Sequence, residues 1–348
     1  MRLFSKTMFT VLLGLSLATG AQALPGVQIL ATGGTIAGTA AKATQLTGYK
    51  AGDLGIQVLM EAVPQIKDYA DVSGEQIVKI SSNNMTDAVL LKLAKRCNEL
   101  LADPKVNGIV ITHGTDTIEE TAFFLNLTVR SKKPVVLVGS MRPATAISAD
   151  GPLNLLNAVK LAADPQAVGK GVMVALNDTI HSARDVTKSN QNNVATFRSP
   201  NAGPLGFIAA GENVFLNNPT RPHTYQSIFD VSKLETLPRV DIGYTHVNAD
   251  RVAIDAYVKA GAKGIVWAGA GNGAISNDEK AGAVDAVNAG VVFMRSSRTG
   301  SGASTERKND SGILHSGPLS PQKARILLQL ALTQTQDPAE IQKIFHQY

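Results

Sequence analysis

Short apolar runs that end in small and polar residues recur along the first two hundred positions, with amphipathic stretches between them. Residues 27–32 run into Gly33-Gly34, 108–112 into His113-Gly114, 134–138 into Gly139, and 171–176 into Asn177-Asp178. Residues 76–80 read as one more strand. Between them, 87–101 sets Val89, Leu90, Leu93, Ala94, Cys97 and Leu101 at helical spacing. Residues 118–129, with Glu119 and Glu120 in a first turn that suits the helix dipole, and 152–163 read as two further helices. Strand, polar tip and helix in repetition predict a parallel sheet covered on both faces. Ligands meet such a sheet beyond the carboxyl ends of its strands. Residues 32–35, 112–116, 139–142 and 177–178 are expected at that rim.

From 201 to about 238 the pattern breaks. Pro204, Pro219, Pro222 and Pro238 accumulate among Gly, Asn and Thr, as expected of a few hairpin strands followed by a linker. A second alternating series follows over 240–244, 250–260, 264–268, 278–288, 291–295 and 321–332, with a glycine-rich loop at 299–317. The fold class expected is α/β. A larger N-terminal doubly wound parallel-sheet domain occupies 24–215, a linker 216–237, and a smaller C-terminal α/β domain 238–348.

The first 23 residues stand apart. Arg2 and Lys6 precede an apolar run at 8–17, and Ala21-Gln22-Ala23 makes a small-x-small cleavage site. That order predicts a secretory signal peptide, and the run is too short for a span of roughly 20 residues. Taking 23 residues from 348 leaves 325, enough for two cores. Losing Arg2 and Lys6 reduces the formal charge from +5 to +3. The basic residues are scattered and no aromatic-basic stripe interleaves them, which argues against nucleic-acid binding. No second long apolar stretch follows, so no membrane association is expected of the mature form. Cys97, the single cysteine, falls on the apolar face of a helix and reads as a buried core thiol. Neither CxxC nor HExxH occurs, which argues against zinc; no metal or organic cofactor is expected.

Three clusters carry candidate chemistry. In ILATGGTIAG (29–38) two adjacent glycines permit close backbone approach, and Thr35 would stand at the rim. It reads equally as a catalytic hydroxyl or as part of a structural turn; the dinucleotide pattern GxGxxG is not matched. In GIVITHGTDT (108–117), Thr115 and Asp116 are dense chemistry for a turn, although Thr115 or Thr117 could also cap the helix that follows. His113 suggests a triad, yet no GxSxG elbow accompanies it, and a lone histidine beside a glycine reads as structural. In NDTIHSARDVTKSN (177–190), Lys188 is by default a surface lysine. It matters only if the fold returns it to Thr115, where it could lower the threonine's proton affinity or take its proton.

Taken together these segments resemble the asparaginase/glutaminase family. ATGGTIAG and GIVITHGTDTIEET are similar to the two signature motifs of bacterial-type L-asparaginases. The likeness continues through VVLVGSMRPATAISADGPLNLLNAV, AGAGNGA, RSSRTGSG and PQKARILLQLALTQTQDP, over essentially the whole mature chain. The signal peptide fits the exported, periplasmic type II branch. The resemblance implies Thr35 as nucleophile, with Thr115 as the open alternative, and Tyr49 on a mobile loop as its activating partner. It implies a Thr115–Lys188–Asp116 cluster, and Ser82, Asn83, Thr115 and Asp116 as the grip on the substrate's α-amino and α-carboxylate groups. The Ser140 carbonyl would face the amide nitrogen. Asn272 and Glu306 would reach the site of a neighbouring subunit, in a homotetramer built as a dimer of dimers. Asn83 stands where relatives often carry Gln or Glu, and hydrophobic discrimination of one methylene is worth only about 1–3 kcal/mol.

The expected reaction is therefore hydrolysis of L-asparagine to L-aspartate and ammonia through an acyl-enzyme, with L-glutamine as a second substrate. Two alternatives stand beside it. One is a glutaminase-asparaginase of broad amide specificity, and the other a periplasmic solute-binding protein, which would bind the amide without turning it over.

Overall fold

The computed structural model describes residues 23–308 and 312–348; the expected signal peptide falls almost wholly on 1–22, outside them. In chain order the elements are β1 (Gly26–Gly33), α1 (Ile56–Glu61), β2 (Asp71–Ile80), α2 (Asp87–Ala102), β3 (Val106–Thr112), α3 (Ile118–Thr128), β4 (Val135–Val138), α4 (Gly151–Ala163) and β5 (Val172–Leu176). Then come β6 (Thr179–Ser182), β7 (Thr187–Lys188), β8 (Phe197–Arg198), β9 (Gly206–Ala209) and β10 (Glu212–Phe215). The last part holds β11 (Val240–Tyr244), α5 (Val252–Lys259), β12 (Gly264–Gly269), α6 (Asn277–Asn288), β13 (Val292–Ser297), β14 (Leu314–His315), α7 (Pro321–Ala331) and α8 (Pro338–Gln347).

The larger sheet has the order β10-β9-β6-β5-β4-β3-β1-β2, and the smaller one β11-β12-β13-β14. Strands β2, β1, β3, β4 and β5 run parallel, as the repeated strand–tip–helix pattern predicts. β6, β9 and β10 extend that sheet antiparallel. The reversal falls at Asn177 and Asp178, whose φ of 48° and 56° make a two-residue hairpin turn suited to the right-handed strand twist. These two residues lie at the carboxyl end of a parallel strand, as expected of the rim, and form that turn. Asn157 donates to the Asp178 carboxylate at 2.9 Å, and Asn154 accepts from the Asn177 N–H at 3.0 Å. α1 and α8 carried no sequence expectation; α1 is only six residues long, too short for a repeating apolar face to show.

Successive β1 side chains go to opposite faces. Leu30 joins one core cluster, and Val27, Ile29 and Ala31 the other. α1 and α4 cover the second face. The first face packs on α2 and α3, and the same cluster continues through Ile326, Leu327 and Leu330 of α7 to Val266 and Met294 of the smaller sheet. The two sheets thus share one apolar core through α3 and α7. On the far side of the smaller sheet, Trp267 and Phe293 pack with Ile254, Ala283 and Ala286. Local signals agree with these elements. Thr86 caps α2 by accepting from the Val89 N–H at 3.3 Å, and Ser276 with Glu279 forms a capping box on α6.

Candidate active site

The order β4-β3-β1-β2 makes the carboxyl ends of four parallel strands neighbours. The loops leaving them carry Ser140, Thr115, Thr35 and Ser82. Two crossings at bare backbone hold these loops together. A Cβ on Gly34 would lie 2.3 Å from Cα and N of Gly114, and one on Gly114 would lie 2.6 Å from the Ser82 hydroxyl oxygen. Gly34 has φ 83° and ψ −170°, a region open essentially to glycine alone. Its N–H donates to the Ile80 carbonyl at 3.0 Å, so this amide is committed to the fold and is not free for an oxyanion. The Thr117 hydroxyl donates to the Ser82 carbonyl at 2.7 Å, tying the Thr115 loop to the Ser82 loop. Here the capping expectation is corrected: Thr117 occupies the N-cap position of α3, but its side chain makes no cap bond, its hydroxyl being turned to the Ser82 carbonyl. Thr115 makes its bond to Lys188 instead.

Thr35 opens a 3-10 turn at Thr35–Ala37 and is partly buried. Its Oγ1 lies 2.7 Å from the hydroxyl oxygen of Tyr49. The segment bearing Tyr49 folds over the rim and is fastened at both ends. Thr39 and Lys50 exchange backbone hydrogen bonds of 3.0 Å, Gly52 N–H donates to the Gly34 carbonyl at 2.9 Å, and Ala144 N–H donates to Gly38 at 3.0 Å. The Asp53 carboxylate accepts from Thr39 Oγ1 at 2.7 Å and pairs with Lys50 at 2.5 Å. The Lys50 and Thr39 hydrogen bonds hold this carboxyl below the usual carboxylate range. Residues 46–48, at the tip, are exposed.

Lys188 arrives on the short hairpin of β7 and β8. Its Nζ donates to Thr115 Oγ1 at 2.9 Å and to Asp116 Oδ1 at 2.6 Å. Thr115 is buried, Lys188 mostly buried, and the Asp116 side chain 62% exposed. An ion pair so open to water contributes at most about 1 kcal/mol of stability; its consequence is orientation, with a cation beside a threonine hydroxyl and a carboxylate left facing solvent.

The remaining expected residues fall into two groups. Ser82 is buried against Gly114, and Asn83 beside it is exposed. Ser140 is buried and its hydroxyl donates to the Arg142 carbonyl at 2.7 Å. Asn272 and Glu306 lie on the smaller domain. Asn272 exchanges hydrogen bonds of 2.8 and 3.0 Å with Thr305, and no bond joins either residue to Thr35 or Thr115 within one chain. A cavity of about 440 Å³, lined in part by Asp185, Thr187, Asn272, Ser304 and Lys323, opens between the domains, and none of Thr35, Tyr49 and Thr115 lines it.

His113 has no part to play in a triad. It is fully buried, and burial pushes its pKa down to about 4. Nδ1 lies 2.8 Å from the Gly114 carbonyl and Nε2 2.9 Å from the Thr121 hydroxyl. A carbonyl only accepts, so the proton sits on Nδ1 and Nε2 accepts from Thr121. Both ring nitrogens are used. Cys97 is completely buried, and burial pushes its thiol up to about 12, which makes it inert. Among the described residues no group of three or more His, Cys, Asp and Glu could hold a metal ion. No sequence signal marked Asp53 as a fastener, and none marked Glu119, Thr187 and Lys323 as a cluster beside the Lys188 strand, whose contacts join positions far apart in the chain.

Fold and site together define a two-domain α/β protein with a threonine-lined site at the rim of its larger sheet. Residues 26–221 match the family described as Asparaginase, N-terminal, and 239–345 the Glutaminase/Asparaginase C-terminal domain. The chain is 56% identical to L-asparaginase 2 of Bacillus subtilis (strain 168), covering 93% of this chain and 87% of that protein. It is 45% identical to the glutaminase-asparaginase of Pseudomonas fluorescens biotype A, over 93% and 91% of the two chains. A solved structure titled as a probable cytoplasmic L-asparaginase from Campylobacter jejuni superposes with a TM-score of 0.91 at 50% identity, covering 93% of this chain and all of that one. The chain belongs to the asparaginase/glutaminase family.

Proposed function

We propose that the protein hydrolyses L-asparagine to L-aspartate and ammonia, with Thr35 as nucleophile. The observation that carries this reading is the 2.7 Å contact between Thr35 Oγ1 and the Tyr49 hydroxyl, beneath a fastened loop and beside the Gly34–Gly114 crossing. A threonine hydroxyl is a weak nucleophile at neutral pH and needs a partner for its proton; Tyr49 is placed to be that partner. Thr35 Oγ1 attacks the side-chain amide carbon, and its proton passes by way of Tyr49 towards the departing nitrogen. The C–N bond breaks, ammonia leaves, and an ester to Thr35 remains. Water then adds to the ester carbonyl, the bond from the acyl carbon to Thr35 Oγ1 breaks, one water proton returns to Oγ1, and L-aspartate leaves. Main-chain N–H groups at Thr35 and Thr115 would face the developing oxyanion, and the Ser140 carbonyl the leaving nitrogen. Ser82 and Asn83 would grip the α-carboxylate and Asp116 the α-ammonium, while Lys188 holds Thr115 and Asp116 in register. Thr115 is the second candidate nucleophile, supported by its bond to Lys188. Asparagine and glutamine differ by one methylene, and the similarity to a glutaminase-asparaginase supports activity on both amides.

The site as proposed is completed by a second copy of the chain, which would bring Asn272 and Glu306 to it in a homotetramer arranged as a dimer of dimers. The leader supports a periplasmic location, with a signal peptide at 1–23, a catalytic domain at 24–215, a linker at 216–237 and the smaller domain at 238–348. The test is ammonia release from L-asparagine and L-glutamine by the mature protein and by Thr35→Ala. Release abolished in a folded Thr35→Ala variant is the expected result. Full activity in that variant would remove Thr35 as nucleophile, and abolition in Thr115→Ala alone would transfer the role. Binding of either amide without any ammonia release would discard hydrolysis of these substrates.

A further inference from the structure

Against the residues that lead into Lys188, a buried charge pair joins the two domains. Glu119 on α3 and Lys323 on α7 are 5% and 2% exposed, and their charged groups lie 4.0 Å apart. Lys323 Nζ donates to the Arg184 carbonyl at 3.0 Å and also to the Val186 carbonyl. Glu119 Oε1 accepts from the Thr187 hydroxyl at 3.2 Å, while its other oxygen has no hydrogen-bond partner. The groups facing Lys323 include Asp185, which with Glu119 favours its charge, and Arg184, which opposes it; burial, the largest effect, pushes the ammonium down to about 8. Burying a charged pair at a spacing too long for a hydrogen bond is a poor way to gain stability. Its partners, however, have a common feature. Val186 and Thr187 are the two residues immediately before Lys188, and Glu119 lies in the first turn of the helix that follows Thr115 and Asp116.

We infer that Glu119, Thr187 and Lys323 form a positioning clamp that sets Lys188 against Thr115 and Asp116. Lys323 draws in the main chain at Arg184 and Val186, and Glu119 takes the hydroxyl at Thr187. The strand carrying Lys188 is thereby fixed to the same helix whose preceding loop carries Thr115. Because Lys323 lies on α7, the smaller domain of the same chain sets the geometry of the site in the larger one. None of the three touches the substrate as proposed, so each acts through Lys188. The inference rests on the reading of Thr115–Lys188–Asp116 as working parts of an asparagine-hydrolysing site.

The test is steady-state kinetics on L-asparagine with Thr187→Val, Thr187→Ser, Glu119→Gln and the paired change Glu119→Gln with Lys323→Met, each alongside the parent protein and a thermal melt. Removing the hydroxyl in Thr187→Val frees one side of the β7 strand. A displacement of about 1 Å at a catalytic group costs roughly 100-fold, so kcat is expected to fall by about 10- to 100-fold, with KM changed less than about threefold. Thr187→Ser restores the hydroxyl and should return kcat close to the parent value. Glu119→Gln keeps an acceptor for Thr187 and should cost less than the paired change, which releases Arg184 and Val186 as well. Three results would overturn the clamp: parental kcat in Thr187→Val, a change confined to KM, or Thr187→Ser as impaired as Thr187→Val. If the charged-pair variants do not fold, the two Thr187 variants decide the matter alone. A parent protein that releases no ammonia refutes the proposed reaction itself, a result distinct from active Thr187 variants that refute only the clamp.

Discussion

Alanine at Gly34 tests whether the two threonine loops depend on touching backbone. The backbone there lies at φ 83° and ψ −170°, and holding a non-glycine residue in that region costs about 1–3 kcal/mol. The added Cβ would also sit 2.3 Å from Cα and N of Gly114. Those are main-chain atoms, so no rotamer change relieves the overlap, and such overpacking adds about 1–3 kcal/mol. The sum is about 2–6 kcal/mol, which for a chain of this size lowers the melting temperature by at least about 3 °C. Restoring an ordinary contact beyond 3.4 Å parts the loops by about 1 Å, and a shift of that size between reacting groups costs on the order of 100-fold in kcat. Gly169→Ala is the control. Its φ is 80°, but nothing lies within 4 Å of the Cβ position, so it should cost about 1–2 kcal/mol through conformation alone and leave kcat intact. Thermal melts and ammonia release on both variants decide it. Parental kcat in Gly34→Ala, with a melting change no larger than that of Gly169→Ala, would refute the idea that the crossing sets the site.

Tyr49→Phe removes the hydroxyl 2.7 Å from Thr35 Oγ1 and should lower kcat by about 100-fold or more without changing the melting temperature; a variant of near-parental rate would relieve Tyr49 of its role. Mixing Thr35→Ala and Asn272→Ala proteins and allowing subunits to exchange should restore activity in about a quarter of sites, since only mixed pairs contain a site with both residues, whereas no recovery would argue against a shared site. Burial lowers the His113 pKa from 6.5 to about 4, so below pH 6.5 the unfolded chain takes a proton that the folded one refuses. Stability is therefore whole above pH 6.5 and falls by about 3 kcal/mol as the pH drops to about 4. Chemical denaturation across that range should show a shallower fall in His113→Gln, and an unchanged slope would contradict a buried neutral His113.

Much of the fold was legible because its signals are local. A short apolar run ending in turn residues reads as a buried strand, and β1 and β3 form where 27–32 and 108–112 indicate. α2 begins at a Thr86 cap and buries the helically spaced face that includes Cys97. The strand tips placed Thr35 and Thr115 at the rim, and the motif resemblance singled them out. The chain's own pattern thus determined the strands, the helices and the residues offered at their ends.

Only the tertiary structure decided which of those residues meet. Strand order made the tips of β4, β3, β1 and β2 neighbours, and order depends on long-range pairing that no local window contains. Lys188 reads as an ordinary surface lysine until a hairpin carries it to Thr115, 73 residues away. Thr117 reads as a helix cap until its hydroxyl is found on the Ser82 carbonyl. Lys323 reads as one more polar residue in an amphipathic helix, and it is almost completely buried, with its ammonium on carbonyls 137 and 139 residues away. Each of these roles depends on the packing of separate elements, where the energy of a polar group is set by what burial leaves beside it rather than by its neighbours in the chain.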